Sequence, residues 1–198
     1  MRERPIIIID LETTGLSPHR HKITEIAAVK ILNNEIVDEF QTLVNPETPI
    51  PRFITKLTGI TNDMVRDQPK IKEVLPSLKQ FIGNSLIVGH NISFDYNFLQ
   101  ENFWRHENFL LTNDTLCTMK LARRIHSDLP SKRLGMICEY YGLINENAHR
   151  AMSDVQATHG ILNNMLETLS QKEIKSFEDV KNFECMTCAK AIKTINEN

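Results

Sequence analysis

Pro5-Ile6-Ile7-Ile8-Ile9-Asp10-Leu11-Glu12-Thr13-Thr14-Gly15 is the segment whose reading decides the fold. Ile6 to Ile9 are apolar at successive positions, so a strand built from them is buried on both faces, as in the centre of a sheet with helices on either side. Asp10 then stands at the strand's carboxyl end. In open α/β sheets that is where ligands gather. Alternate residues of a strand share a face, so Asp10 and Glu12 aim at one point. Two anions that close repel. A hard divalent cation with oxygen ligands relieves the repulsion, and two such ions roughly 3.5–4 Å apart clamp an in-line phosphoryl displacement. Thr13, Thr14 and Gly15 are small enough for backbone N–H groups to approach a phosphate or a terminal sugar.

Downstream, strands are expected at Ile23 to Ile31 and Glu35 to Val44, joined by Asn33 and Asn34, which tolerate the positive φ of a tight hairpin. The proline-rich stretch Asn45 to Pro51 reads as a loop, followed by a short helix and a turn at Thr58-Gly59-Ile60. Apolar residues at helical spacing predict a helix over Lys70 to Ile82, stopped by Gly83, with a kink or break at Pro76. A strand over Leu86 to Val88 leads through Gly89, His90 and Asn91 to Ser93, read as a helix cap, which puts Asp95 in a first helical turn. A carboxylate there is favoured by the helix dipole. Further helices are expected over Thr115 to Ile125, capped by Asp114, and over Lys132 to Tyr141, capped by Ser131 and closed by Gly142. Asn145 to Asn147 is a polar loop delivering His149. A long helix from Ala151 to Ser170 then carries Asp154 in its first turns and Val155, Leu162, Leu166 and Leu169 on an apolar stripe facing the sheet.

The chain has 198 residues, 41% hydrophobic and 24% charged, which fits one α/β domain over residues 1–170 and a tail over 171–198 that reads as a partner-docking segment. No apolar stretch approaches the ~18 residues of a membrane span. Arg2, Glu3 and Arg4 lead into a short apolar run unlike an export signal, so a cytoplasmic protein is expected. Four cysteines in that compartment read as reduced thiols. Cys185 and Cys188 make one CxxC without a second pair, and a structural zinc site needs four ligands. A net charge of −2 argues against a protein that coats duplex DNA, yet an enzyme gripping a strand end needs few phosphate contacts.

Taken singly, Asp10 with Glu12, Asp95, or His149 with Asp154 are each consistent with solvated or helix-stabilising groups. Together they form a pattern. Asp10-Leu11-Glu12-Thr13-Thr14-Gly15, then Gly89-His90-Asn91-Ile92-Ser93-Phe94-Asp95, then His149-Arg150-Ala151 ending in Asp154 resembles the three motifs of the DEDDh exonuclease family. The resemblance runs from about Pro5 to Ser170 and includes Leu57-Thr58-Gly59-Ile60-Thr61, similar to the proofreading epsilon subunits of bacterial DNA polymerase III. It implies a ribonuclease H-like mixed sheet with an antiparallel three-strand start, flanked by helices. It also implies a 3′-to-5′ exonuclease using two divalent cations, Mg²⁺ or Mn²⁺, on single-stranded DNA ends, in proofreading or repair and in association with a DNA polymerase. Asp10, Glu12 and Asp154 would hold the first metal, Asp10 would bridge to the second, and Asp95 would support the site through water. His149 would be the general base, swinging in from a mobile Asn145 to Arg150 segment. Thr13 and Thr14 would bind the terminal nucleotide, Asn91 its sugar or phosphate, and Phe94 a base. Thr58 stands where the epsilon subunit commonly has histidine, a departure in the terminal-base pocket. His90 reads as structural. Lys120, Arg123, Arg124, Lys132 and Arg133 are consistent with phosphate attraction or with solvated helix faces.

Three other readings stay open at this level. Related enzymes trim short RNA with the same five residues, and rejection of a 2′-hydroxyl depends on local geometry. Haloacid-dehalogenase-like phosphatases also begin with an apolar strand and two acids, with Asp10 then a covalent nucleophile, although that class gives His149 no part beside Asp154. A non-catalytic nucleic-acid-binding module is the third.

Overall fold

The computed structural model describes residues 4–145 and 147–197, excluding the side chains of residues 196 and 197. Arg2 and Glu3 of the N-terminal reading and Glu146 of the polar loop lie outside the described residues. Strand β1 (Ile6–Thr13) pairs antiparallel with β2 (Ile23–Leu32), which pairs antiparallel with β3 (Glu35–Leu43). Asn33 and Asn34 turn that hairpin with φ of 54° and 67°, the left-handed geometry a two-residue turn requires. On its other side β1 runs parallel to β4 (Leu86–Gly89), which is followed across the sheet by β5 (Thr115–Cys117). Among the described residues the order is β3-β2-β1-β4-β5, a mixed sheet with β1 at its centre.

The alternation of β1 builds two cores. Ile7, Ile9 and Leu11 face α3 (Ile71–Ile82) and α4 (Ser93–Glu107), where Leu75, Leu78, Phe98 and Phe103 are buried. Ile6 and Ile8 face the other way, packing with Ala27, Val29, Leu116 and the stripe of α7 (Ala151–Gln171) that includes Val155, Ile161 and Leu162. Asp10 and Glu12 share parity with Ile6 and Ile8, so they emerge on the α7 side. Two short helices, α1 (Arg52–Thr58) and α2 (Asn62–Val65), close a smaller cluster of Ile50, Ile54, Ile60 and Val65.

Several local expectations are corrected. Helix α3 continues through Pro76 without the break that is one of the two expectations there; the carbonyl left without its N–H partner belongs to exposed Lys72, where water can serve it. Thr115 to Cys117 are strand rather than helix: the Ile87 N–H bonds the Asp114 carbonyl at 2.9 Å, and α5 (Thr118–Ile125) starts only after the ladder ends. A three-residue strand is too short to display period two against the helix that follows. Ser93 begins α4 without capping it through its side chain. Helix α6 (Leu134–Tyr140) starts later than expected, because Ser131 Oγ accepts from Arg133 N–H at 3.2 Å and so caps a turn before the helix.

The segment after Ser170 folds onto the α7 side as α8 (Phe177–Cys185) and α9 (Cys188–Glu197), with Val180, Phe183 and Ala191 buried in that core. Polar ties reinforce the packing. Glu184 accepts from the Cys117 N–H at 2.9 Å and from Lys181 at 2.6 Å, and the Arg124 guanidinium donates to the Met186 carbonyl. Phe183 is fully buried, so Phe183→Ala should destabilise the chain by about 3–5 kcal/mol, read from its urea unfolding midpoint. A loss under about 1 kcal/mol would show that this segment packs on a core already complete without it.

Candidate metal centre and active site

β1 carries Asp10 and Glu12 toward its carboxyl end, and α7 carries Asp154 in its first turn. Glu12, His149 and Asp154 each offer a ligand atom, and these atoms lie within 4.8 Å of one another. Asp154 is 7% exposed and Asp95 3%, whereas Asp10 and Glu12 are partly buried and His149 is exposed. Asp95, in the first turn of α4, accepts from the Leu11 N–H at 3.0 Å, between the two acids of β1. Gly89 allows the approach: a Cβ there would sit 2.8 Å from the Ile92 side chain and 3.1 Å from the Ile9 carbonyl.

The electrostatics are those of anions crowded without enough positive charge. Burial, then the charges of Asp95, Asp154, Glu12 and Glu25, push Asp10 well above the ordinary carboxylate range. Burial, then Asp154, Glu25 and Asp95, push Glu12 up to about 8, with Arg150 opposing. Burial also raises Asp95 to about 8 against the hydrogen bonds it accepts from the backbone, that of Leu11 among them. Asp154 is raised by burial despite bonds from Asn145 Nδ2 at 2.6 Å and the His149 N–H at 3.2 Å. An all-carboxylate set in this state suits a hard divalent cation, which would replace the protons the cluster otherwise retains.

His149 holds its place through the backbone. Its φ of 66° is unusual for a residue with a Cβ, and such conformations persist where their surroundings enforce them. Arg150 N–H bonds the Asn147 carbonyl at 3.1 Å, Asp154 N–H bonds the Arg150 carbonyl at 3.1 Å, and Ser153 Oγ donates to Asn145 Oδ1 at 2.6 Å. The approach to α7 is therefore tied to the acid it accompanies.

The candidate substrate residues divide. Thr13 and Thr14 are buried, with Thr13 Oγ1 donating to the Gly15 carbonyl at 2.7 Å and Thr14 Oγ1 accepting from the Lys22 N–H at 3.0 Å. Their hydroxyls shape the loop. Gly15 packs against His21 so closely that a Cβ would lie 2.4 Å from the imidazole, and His21 Nδ1 accepts from the Ser17 N–H at 3.0 Å. Asn91 is exposed at φ 72°, and Phe94 is partly buried with its ring 4.9 Å from that of Phe98. Thr58 is buried, its Oγ1 donating to the Ile54 carbonyl and accepting from the Ile60 N–H, both at 3.1 Å, so it terminates α1. His90 spans Thr118 Oγ1 at 2.9 Å and the Lys132 carbonyl at 2.8 Å, a structural bridge as expected. Of the basic residues, Arg124 is engaged by Met186 and Lys132 by the Leu129 carbonyl.

Sequence reading missed Glu25, whose buried carboxylate lies opposite Glu12 in the β1–β2 register and pairs with Arg150. The signal was present: Glu25 is the charged residue within the apolar run Ile23 to Val29.

The RNase_T family model, described as an exonuclease, matches residues 7–162. The chain is 41% identical over 178 residues to a DNA polymerase III PolC-type protein of Caldanaerobacter subterraneus subsp. tengcongensis, which covers 90% of this chain and 13% of that relative. It is 40% identical over 191 residues to the PolC-type protein of Clostridium perfringens, covering 96% of this chain and 12% of the relative. The chain thus spans about one-eighth of the length of these relatives. A solved structure of Exonuclease X in complex with 5′ overhanging duplex DNA matches with a TM-score of 0.69 at 27% identity, covering 96% of this chain and 99% of that one. Among the described residues no helix is long and apolar enough to cross a membrane.

Proposed function

Because the chain belongs to the RNase_T exonuclease family, we propose that it is a metal-dependent 3′-to-5′ exonuclease releasing nucleoside monophosphates from single-stranded DNA ends, in proofreading or repair. Family membership leaves the reading of Asp10 as a covalent phosphatase nucleophile without support. The observation that carries the proposal is the convergence of Glu12, His149 and Asp154, with ligand atoms within 4.8 Å of one another, while the charges of Asp95, Asp154 and Glu12 all act on Asp10. PolC-type relatives favour DNA and a polymerase partner, and the Exonuclease X complex favours a nucleic-acid end as ligand.

In this reading Asp10, Glu12 and Asp154 hold two divalent cations, Mg²⁺ or Mn²⁺, with Asp95 supporting the site from behind Leu11. When bound, such cations polarise the scissile phosphate and stabilise the leaving oxygen. His149 accepts the proton of the attacking water, a role that a carboxylate committed to a cation fills poorly. Asn145 and the His149 N–H orient Asp154 by bonding both of its oxygens. Thr13 and Thr14 hold the loop that receives the terminal nucleotide, while Asn91 and Phe94 flank the turn into α4 to contact its sugar and base. Residues 171–198 dock on a polymerase-like partner through the face that α8 and α9 leave exposed.

The test uses end-labelled DNA and RNA oligonucleotides of matched sequence with Mg²⁺ or Mn²⁺, with and without chelator. Stepwise shortening of DNA from the 3′ end, abolished by chelator, is the expected result. Faster trimming of RNA would reassign the substrate, and no shortening of either would remove the proposal.

A further inference from the structure

Glu25 lies on β2, yet its four hydrogen bonds go largely to the start of α7. Its side chain is 1% exposed, in a strand whose Ile23, Ile26, Ala27, Ala28 and Val29 are buried. Arg150 Nη2 donates to Oε1 at 3.0 Å and Arg150 Nε to Oε2 at 3.2 Å, a two-pronged fork. The Ala151 N–H donates to Oε2 at 3.2 Å, and Gln41 Nε2 to Oε1 at 3.3 Å. A carboxylate taken from water must be paired, and an apolar pair of similar volume would serve stability as well or better. The pair therefore calls for an explanation in geometry.

That geometry points at His149. The residue adjoining Arg150 carries the unusual φ of 66°, and its N–H bonds Asp154 Oδ2. Glu25 itself faces Glu12 across the β1–β2 ladder. One carboxylate thus locks the residue next to the imidazole to the strand position opposite Glu12, whose carboxylate lies within 4.8 Å of the imidazole. We propose that Glu25, acting through Arg150, is the positioning residue that holds His149 over the acidic cluster; this rests on the reading of His149 as the general base.

The test compares wild type, Glu25→Gln, Arg150→Lys, His149→Ala and the two double variants made in the His149→Ala background. Readouts are kcat and KM on the p-nitrophenyl ester of thymidine 5′-monophosphate, the Mn²⁺ dissociation constant by calorimetry, and the melting temperature. Displacing a reacting group by about an ångström costs up to roughly 10²-fold, so Glu25→Gln and Arg150→Lys should each lower kcat by about 10–100-fold. KM and the Mn²⁺ dissociation constant should stay within about threefold. In the His149→Ala background the same changes should lower the residual rate by less than about twofold, because the residue they position is gone. Equal losses in both backgrounds, or an unchanged kcat in both single variants, would overturn the proposal. Should Glu25→Gln fail to fold, Arg150→Lys decides alone, since its side chain is 39% exposed and the charge is kept. Full activity in His149→Ala would instead remove the base assignment, and the positioning role with it.

Discussion

Asp10→Asn is expected to lower hydrolysis by about 10³-fold or more while raising the melting temperature of the metal-free protein. The two effects share one cause. Asp10 is driven well above the ordinary carboxylate range by burial and by Asp95, Asp154, Glu12 and Glu25, so its negative charge is unfavourable in the metal-free protein. Asparagine keeps the shape and removes the charge. At an effective dielectric of about 20, like charges about 4 Å apart repel by roughly 4 kcal/mol before screening, and about 1–2 kcal/mol is the expected net gain. For a chain of this size that is roughly 2–8 °C. Function and stability then move in opposite directions, as expected where a site is built for a ligand at the cost of the empty fold.

The pH dependence follows with its sign. Glu12 and Asp95 titrate near 8 in the folded protein, whereas unfolded carboxylates titrate near about 4. Folding therefore retains protons that the unfolded chain releases. The stabilisation is fully present below about pH 4 and is lost as pH rises through the folded value. Without metal, melting temperature should fall from pH 6 to pH 8; Mn²⁺ should restore more of it at pH 8, where fewer protons compete. Scanning calorimetry with and without chelator measures both. A flat profile, with Asp10→Asn melting at or below wild type, would mean the acids are not crowded as described.

Much of this site was legible because its parts are local. Period two in β1 puts Asp10 and Glu12 on one face, and the spacing of the helix places Asp154 in the first turns of α7, but that the three acids meet is implied by the family resemblance rather than by either pattern. Asp95 followed from the turn after β4, although its bond to the Leu11 N–H could not be anticipated from spacing. Pairing across the sheet was less visible. β5 spans three residues, Thr115 to Cys117, and its identity comes from hydrogen bonds to β4 rather than from its own pattern. Glu25 shows the same limit: its charge in an apolar run was in plain view, but its partner Arg150 lies far along the chain. The segment after Ser170 has a weak stripe, and Phe183 and Val180 find their core only once α5 and β5 are in place.

His149→Ala should lower kcat by about 10²–10⁴-fold, the range of a lost general base, with the Mn²⁺ dissociation constant within about threefold of wild type. The geometry permits a rival role, since the imidazole and the carboxylates of Glu12 and Asp154 are close enough to share one ion. Ligand chemistry separates the two. Mg²⁺ and Mn²⁺ prefer oxygen donors, whereas imidazole suits Zn²⁺, so in the metals proposed here His149 is left to accept a proton. Its exposure fits that role, because a base must meet water at the edge of the cluster, while Asp154 is buried and bonded at both oxygens. Zinc should therefore inhibit the wild type by drawing the imidazole inward, and His149→Ala should bind zinc more weakly. A large loss of Mn²⁺ affinity in His149→Ala would make the histidine a ligand, and the proton would then need another acceptor.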